Sequence, residues 1–215
     1  MTFSKSTFAI LFLIIIHVVG FVGTAYFDES MMKLTPINLL VSLGIVLWFH
    51  KQPNGYFLAY LLIVYLLGFT IEWAGVETGK IFGQYFYGEN LGLKLLDIPL
   101  IIGINWVILS YCTMNIIGLA YTKLNLKTNP IIIVFVASLL MVFADFWIEQ
   151  LCSRFDFWYW KSNIVPLQNY TAWFFFSFAF NYLYLKLGLS MNNKIAVALY
   201  ILQLTFFIGL GALLN

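Results

Sequence analysis

Charge is what this chain has least of. Only 9% of its 215 residues are Asp, Glu, Lys or Arg, whereas 62% are hydrophobic. A soluble domain of this size needs far more polar surface, so a water-solvated fold is excluded. The net charge of +2 is too small for a polybasic lipid-binding patch or a nucleic-acid surface, and no nucleic-acid partner is expected. Of the two cysteines, Cys112 falls in an apolar run and Cys152 just past another, outside any CxxC or Cys/His pattern. Both read as buried small hydrophobes, not as a disulfide or metal ligands. With two histidines there is no His-rich metal box, and no metal site is expected. A Gly-rich phosphate loop, a dinucleotide fingerprint and a Ser/His/Asp set are also missing.

What is present is apolar sequence in blocks. Runs at 7–26, 34–50, 55–76, 98–121, 129–151, 170–187 and 194–214 each approach the ~20 residues a helix needs to cross a bilayer. Short loops leave no room for a soluble unit. The expected fold is therefore all-α: a polytopic membrane bundle of about seven transmembrane helices, one domain over 1–215, with the lipid bilayer as its principal surroundings. Lys5 before the first run looks like a signal sequence, yet six further spans favour an uncleaved first helix. Seven crossings place Lys5, Lys51, Lys123, Lys127, Lys186 and Lys194 on one face and Lys33, Lys80, Lys94, Arg154 and Lys161 on the other. That small excess of basic residues sets the expectation of a cytoplasmic N-terminus.

The same count brings all nine carboxylates toward one face: Asp28, Glu29, Glu72, Glu77, Glu89, Asp97, Asp145, Glu149 and Asp156. Acids in or beside hydrocarbon are costly, and those that persist usually line a proton path or a reactive cavity. Asp145 and Glu149 lie four apart in span five and so share a helical face. Two such carboxyls cannot both ionise cheaply, which provides one acid and one base. Glu72 ends span three beside Gly75 and Gly79, a spacing that lets another helix approach closely. Asp28 and Glu29 read as loop acids, and Glu77 and Asp156 as solvated. Each intramembrane acid also has a plainer reading, a hydrogen bond to Trp, Tyr or Asn that ties helices together. Asn105 can orient water or a carboxylate. His17 reads as a packed histidine, and Asn115, Asn181 and Gln203 as interhelical glue.

Two longer connections, 77–97 and 152–169, emerge on the acid-bearing face and are rich in aromatics and glycine. They read as irregular interfacial or re-entrant segments over a cavity. Carboxylic acids, aromatic faces and a greasy interior suit protonation of an alkene. Aromatic faces attract the resulting carbocation, and a second carboxylate steers water onto it or removes a neighbouring proton.

The stretch EWAGVETGKIFGQYFYGENLGLKLLDIPLIIGINW (72–106), with ADFWIEQ (144–150), FWYW (157–160) and VPLQNYTAWF (165–174), resembles the carotenoid-biosynthesis membrane proteins that include the carotenoid 1,2-hydratases. The resemblance covers about half the chain. It implies addition of water across the terminal double bond of an acyclic carotenoid end group, of the lycopene or γ-carotene type, without a cofactor. It also implies a bacterial cytoplasmic-membrane location, a carotenoid substrate and other carotenoid-pathway enzymes as partners. The family's acidic positions match Glu72, Asp145 and Glu149, the expected catalytic residues. Asn105, Trp106, Tyr85, Tyr87, Trp158, Trp160, Asn169 and Trp173 are the expected substrate-binding residues, with the polyene lying against the four tryptophans. Asp97 is an additional candidate acid, although many members have Gly-Val-Pro where this chain has Asp97-Ile98-Pro99. A second departure is Gln150, where a proline commonly follows the second acid of span five.

Three other readings stay open. A carotenoid cyclase shares the protonation step but closes a ring. An isoprenoid transferase needs Asp-rich Mg²⁺ motifs, for which DFWIE is a poor substitute. A membrane carrier or binding protein for an apolar ligand needs no chemistry, but the paired broken helices of many transporters are not visible. A retinal Schiff base lacks its lysine, since span seven has only Lys194 at its start.

Overall fold

A computed structural model describes residues 4–125 and 129–214; Lys127, counted above with the basic residues, lies outside them. The protein is an all-α membrane bundle of seven helices: α1 (Lys5–Tyr26), α2 (Thr35–Trp48), α3 (Gly55–Thr78), α4 (Ile101–Lys123), α5 (Pro130–Glu149), α6 (Leu167–Lys186) and α7 (Lys194–Leu214). Six of the spans expected from the sequence are long and apolar enough to cross a membrane, the second together with the 3₁₀ turn before it. The exception is α6, whose polar Asn169, Ser177 and Asn181 turn inward and are buried. Its composition is lowered by groups that face protein, not lipid.

Helix starts follow from local chemistry. Ser4, Asn54 and Asn129 each accept a backbone N–H of the first turn from their side chains, satisfying donors that hydrocarbon would leave orphaned. The centre is α4, with 14 of 23 residues buried, including Gly103, Ser110, Cys112, Thr113 and Gly118. Small residues let its neighbours pack close, which is how helices associate without a hydrophobic driving force. A buried polar chain runs across the bundle: Tyr60 and Ser110 hydroxyls lie 2.5 Å apart, Ser110 donates to Asn181 at 2.8 Å, and Asn181 donates to Ser138 at 3.1 Å. Asn181 is thus interhelical glue. Along α1, Leu11, Val18 and Val22 stay exposed, as suits a face turned to lipid.

The two long connections are not irregular throughout. Strand β1 (Tyr85–Tyr87) pairs antiparallel with β4 (Trp158–Trp160), Tyr85 opposite Trp160 and Tyr87 opposite Trp158. Backbone at a membrane interface needs hydrogen-bond partners, and each connection supplies the other's. A smaller hairpin joins β2 (Lys94–Leu95) to β3 (Ile98–Pro99). Its two turn residues, Leu96 and Asp97, sit at φ 53° and 61°, the left-handed geometry of a two-residue hairpin.

Candidate active site

Strand periodicity builds the roof of the site. Alternation puts Tyr85, Tyr87, Trp158 and Trp160 on one face, while Phe86 and Tyr159 stack on the other with ring centres 5.3 Å apart. Asp156 anchors the ribbon: its carboxylate accepts the Glu89 backbone N–H at 3.0 Å and the Tyr159 hydroxyl at 2.9 Å. Expected as a solvated acid, Asp156 instead joins the two connections. Glu29, expected as a loop acid, is held by the Arg154 guanidinium at 2.6 Å. Glu77 is exposed, as expected.

Beneath the roof, each carboxylate is met by particular donors. Glu72 Oε2 accepts the hydroxyls of Tyr85 and Tyr87 at 2.5 and 2.8 Å, and Oε1 accepts the Trp106 indole N–H at 3.0 Å. Glu149 Oε2 accepts the indole N–H groups of Trp158 and Trp160 at 3.0 and 2.8 Å, with the Cys152 thiol at 3.4 Å. One amide, Asn169 in the first turn of α6, donates both to Asp145 Oδ2 at 2.9 Å and to Glu149 Oε1 at 3.1 Å. Asp145 Oδ1 has no partner among the described residues. All three acids are buried.

Every one of these donors is neutral. The chain's two ion pairs among the described residues, Lys94–Glu89 and Arg154–Glu29, use other acids. Burial, reinforced by the charge of Glu72, pushes the phenols of Tyr85 and Tyr87 well above their usual range, so they remain donors. Burial likewise pushes the Cys152 thiol up, away from the thiolate a reactive cysteine needs.

Packing fixes the donors. Trp106 stacks on Trp173, with ring centres 3.9 Å apart and planes 14° from parallel. A Cβ on Gly68 of α3 would stand 2.9 Å from Trp106 Cδ1 and Cγ, too close to keep the indole in place. A Cβ on Gly75 would stand 2.7 Å from Phe82 Cδ2 and 3.2 Å from the Tyr85 hydroxyl. Gly75 and Gly79 are therefore not the helix-approach pair their spacing suggested. Gly75 admits the connection that follows, and Gly79, at φ 64°, ends α3 with its N–H on the Gly75 carbonyl.

Glu72, Asp145, Glu149, Asn105, Asn169, Tyr85, Tyr87, Trp158, Trp160 and Trp173 all line one cavity of about 30 Å³, room for one or two waters. Trp106, fully buried, joins them through Glu72. Asp97 does not: it is exposed at the β2–β3 turn and is not among the residues that line the cavity. Of the four tryptophans expected to lie against a polyene, Trp106, Trp158 and Trp160 aim their indole N–H groups at carboxylates, and Trp106 and Trp173 stack on each other. Cys152 and Gly68 were not read as part of the site. Cys152 follows Glu149 by three residues, a signal available on a helix, whereas nothing local marks Gly68.

No curated protein and no solved structure matches the chain. The family described as carotenoid biosynthesis protein matches residues 34–215, from the end of the 3₁₀ turn before α2 onward, and so takes in every residue of the carboxylate cavity. The chain belongs to the carotenoid biosynthesis protein family.

Proposed function

We propose that the protein is a carotenoid 1,2-hydratase, adding water to the terminal double bond of an acyclic end group. The observation that carries this is a buried set of three carboxylates held only by neutral donors, beside a space the size of a water molecule. Such a site sets carboxyl oxygens where a cation would form, and among the described residues no Lys, Arg or His bonds to them. A carbocation formed there supplies the missing countercharge, and fixed dipoles in a dry pocket act strongly on developing charge.

Asp145 is the acid in this reading. Glu72 and Glu149 each accept three or more donor groups spread over both carboxyl oxygens, while among the described residues Asp145 accepts only from Asn169 and keeps Oδ1 open to carry a proton. The Asp145 carboxyl proton passes to C2 of the terminal alkene, leaving a tertiary cation at C1. Glu72 and Glu149 stabilise that cation. Water attacks C1, and its surplus proton returns to the Asp145 carboxylate, so the sum is alkene plus water giving a tertiary alcohol. Asn105 lines the cavity with its amide free of protein partners among the described residues, and it orients the water. Asn169 is already committed to two carboxylates.

The test is expression in bacteria that make lycopene or γ-carotene, with pigments separated and weighed by mass spectrometry. A gain of one water is expected. An isomer of unchanged mass with a shortened chromophore would make the protein a cyclase, and unaltered pigment of both kinds would favour a carrier.

A further inference from the structure

The carboxylate cavity is far too small for a polyisoprenoid, and Trp173 in its wall is stacked on Trp106. The remainder of the substrate must lie elsewhere. Two further cavities adjoin it in series through shared wall residues. The inner one, about 30 Å³, shares Ile102, Asn105, Ile148 and Trp158 with a middle cavity of about 60 Å³. The middle one shares Thr35, Leu39, Gln203 and Phe207 with an outer groove of about 380 Å³ between α1, α2 and α7.

We propose that this outer groove binds the unreacted chain of the acyclic isoprenoid substrate, which threads its end group past a neck formed by α2 and α7 to the carboxylates. The inference rests on the hydratase reading. The neck consists of two helical steps of four: Thr35 and Leu39 on α2, Gln203 and Phe207 on α7. Each pair lies on one face of its helix, a turn apart. The groove runs along α1 from Phe12 to Thr24, about 18 Å at the rise of an α-helix, a length that takes several isoprene units. Its walls are mostly aliphatic and aromatic side chains, and Gly20 opens its floor. The continuity of lining residues from groove to Asp145 commits the groove to the substrate; a bilayer lipid would need no passage to the acids.

The test fills the groove and compares two substrates with the same terminal alkene, a full-length acyclic carotenoid and a truncated acyclic isoprenoid. In Gly20→Leu the new side chain enters the groove, and its Cβ makes only ordinary contact with Phe206, at 3.5 Å. Val19→Trp adds bulk at an exposed wall position and gives a second, independent block. Both variants, purified in detergent with unfolding temperatures near that of the unmodified protein, are expected to lose about tenfold or more of their rate on the long substrate and to keep the rate on the short one. Undiminished conversion of the long substrate, or equal loss on both, would overturn the groove assignment while leaving the hydratase reading intact. If the unmodified protein hydrates neither substrate, the hydratase reading fails and the groove assignment with it.

Discussion

Asp145→Asn and Glu149→Gln remove the same oxygen chemistry from adjacent turns of α5, yet the structure assigns them different costs. Asp145 Oδ2 accepts from Asn169, and Oδ1 has no protein partner among the described residues. The asparagine can place its carbonyl at the Oδ2 position and its NH₂ at the Oδ1 position, losing no hydrogen bond. Its stability is expected within about 0.5 kcal/mol of the unmodified protein, while hydration falls about 100- to 10,000-fold, the usual worth of a general acid. Glu149 has no such choice. If the new NH₂ replaces Oε2 it meets the indole N–H groups of Trp158 and Trp160; if it replaces Oε1 it meets the Asn169 amide. Donor faces donor either way, and leaving a buried donor unsatisfied costs about 1–3 kcal/mol. Glu149→Gln should therefore unfold at lower temperature as well as lose activity. Thermal unfolding in detergent, with turnover measured on the same preparations, separates the two. Asp145→Asn with unreduced hydration would remove it as the acid, and equal destabilisation by both amides would refute the hydrogen-bond argument.

Other consequences are checked more briefly. In Gly68→Ala the new methyl displaces the Trp106 indole from Glu72, so hydration should drop severalfold or more, and trimming the obstructing indole in Gly68→Ala/Trp106→Phe should not lower it further; a fully active Gly68→Ala would contradict that role. The phenols of Tyr85 and Tyr87 are raised above the usual value of about 10, so stability held by their protonated form is complete below about pH 10 and is lost as pH rises through the higher folded value. The unmodified protein and Tyr85→Phe/Tyr87→Phe should therefore show equal tyrosinate absorbance at about pH 11. A larger signal from the unmodified protein would mean that these phenols ionise normally.

Span number and class were legible in the chain because bilayer thickness and the need to satisfy backbone groups impose a length and composition on each helix separately. The Asp145–Glu149 pair was legible for a similar reason: four residues along one helix fix a spacing without reference to anything distant. Tertiary structure alone decided the rest. Tyr85 and Tyr87 reach Glu72, Asn169 bridges two acids of another helix, and the YFY and WYW segments pair across more than 70 residues of chain. The alternation within YFY and WYW was visible, but pairing is a property of two strands, and neither carries a local mark of its partner. Gly75 and Asp156 show the same limit. Their spacing and their place in the sequence suggested helix packing and solvent, whereas what they meet is set by where a loop returns. The groove between α1, α2 and α7 has no sequence signature, because its shape is the space three apolar helices leave between them.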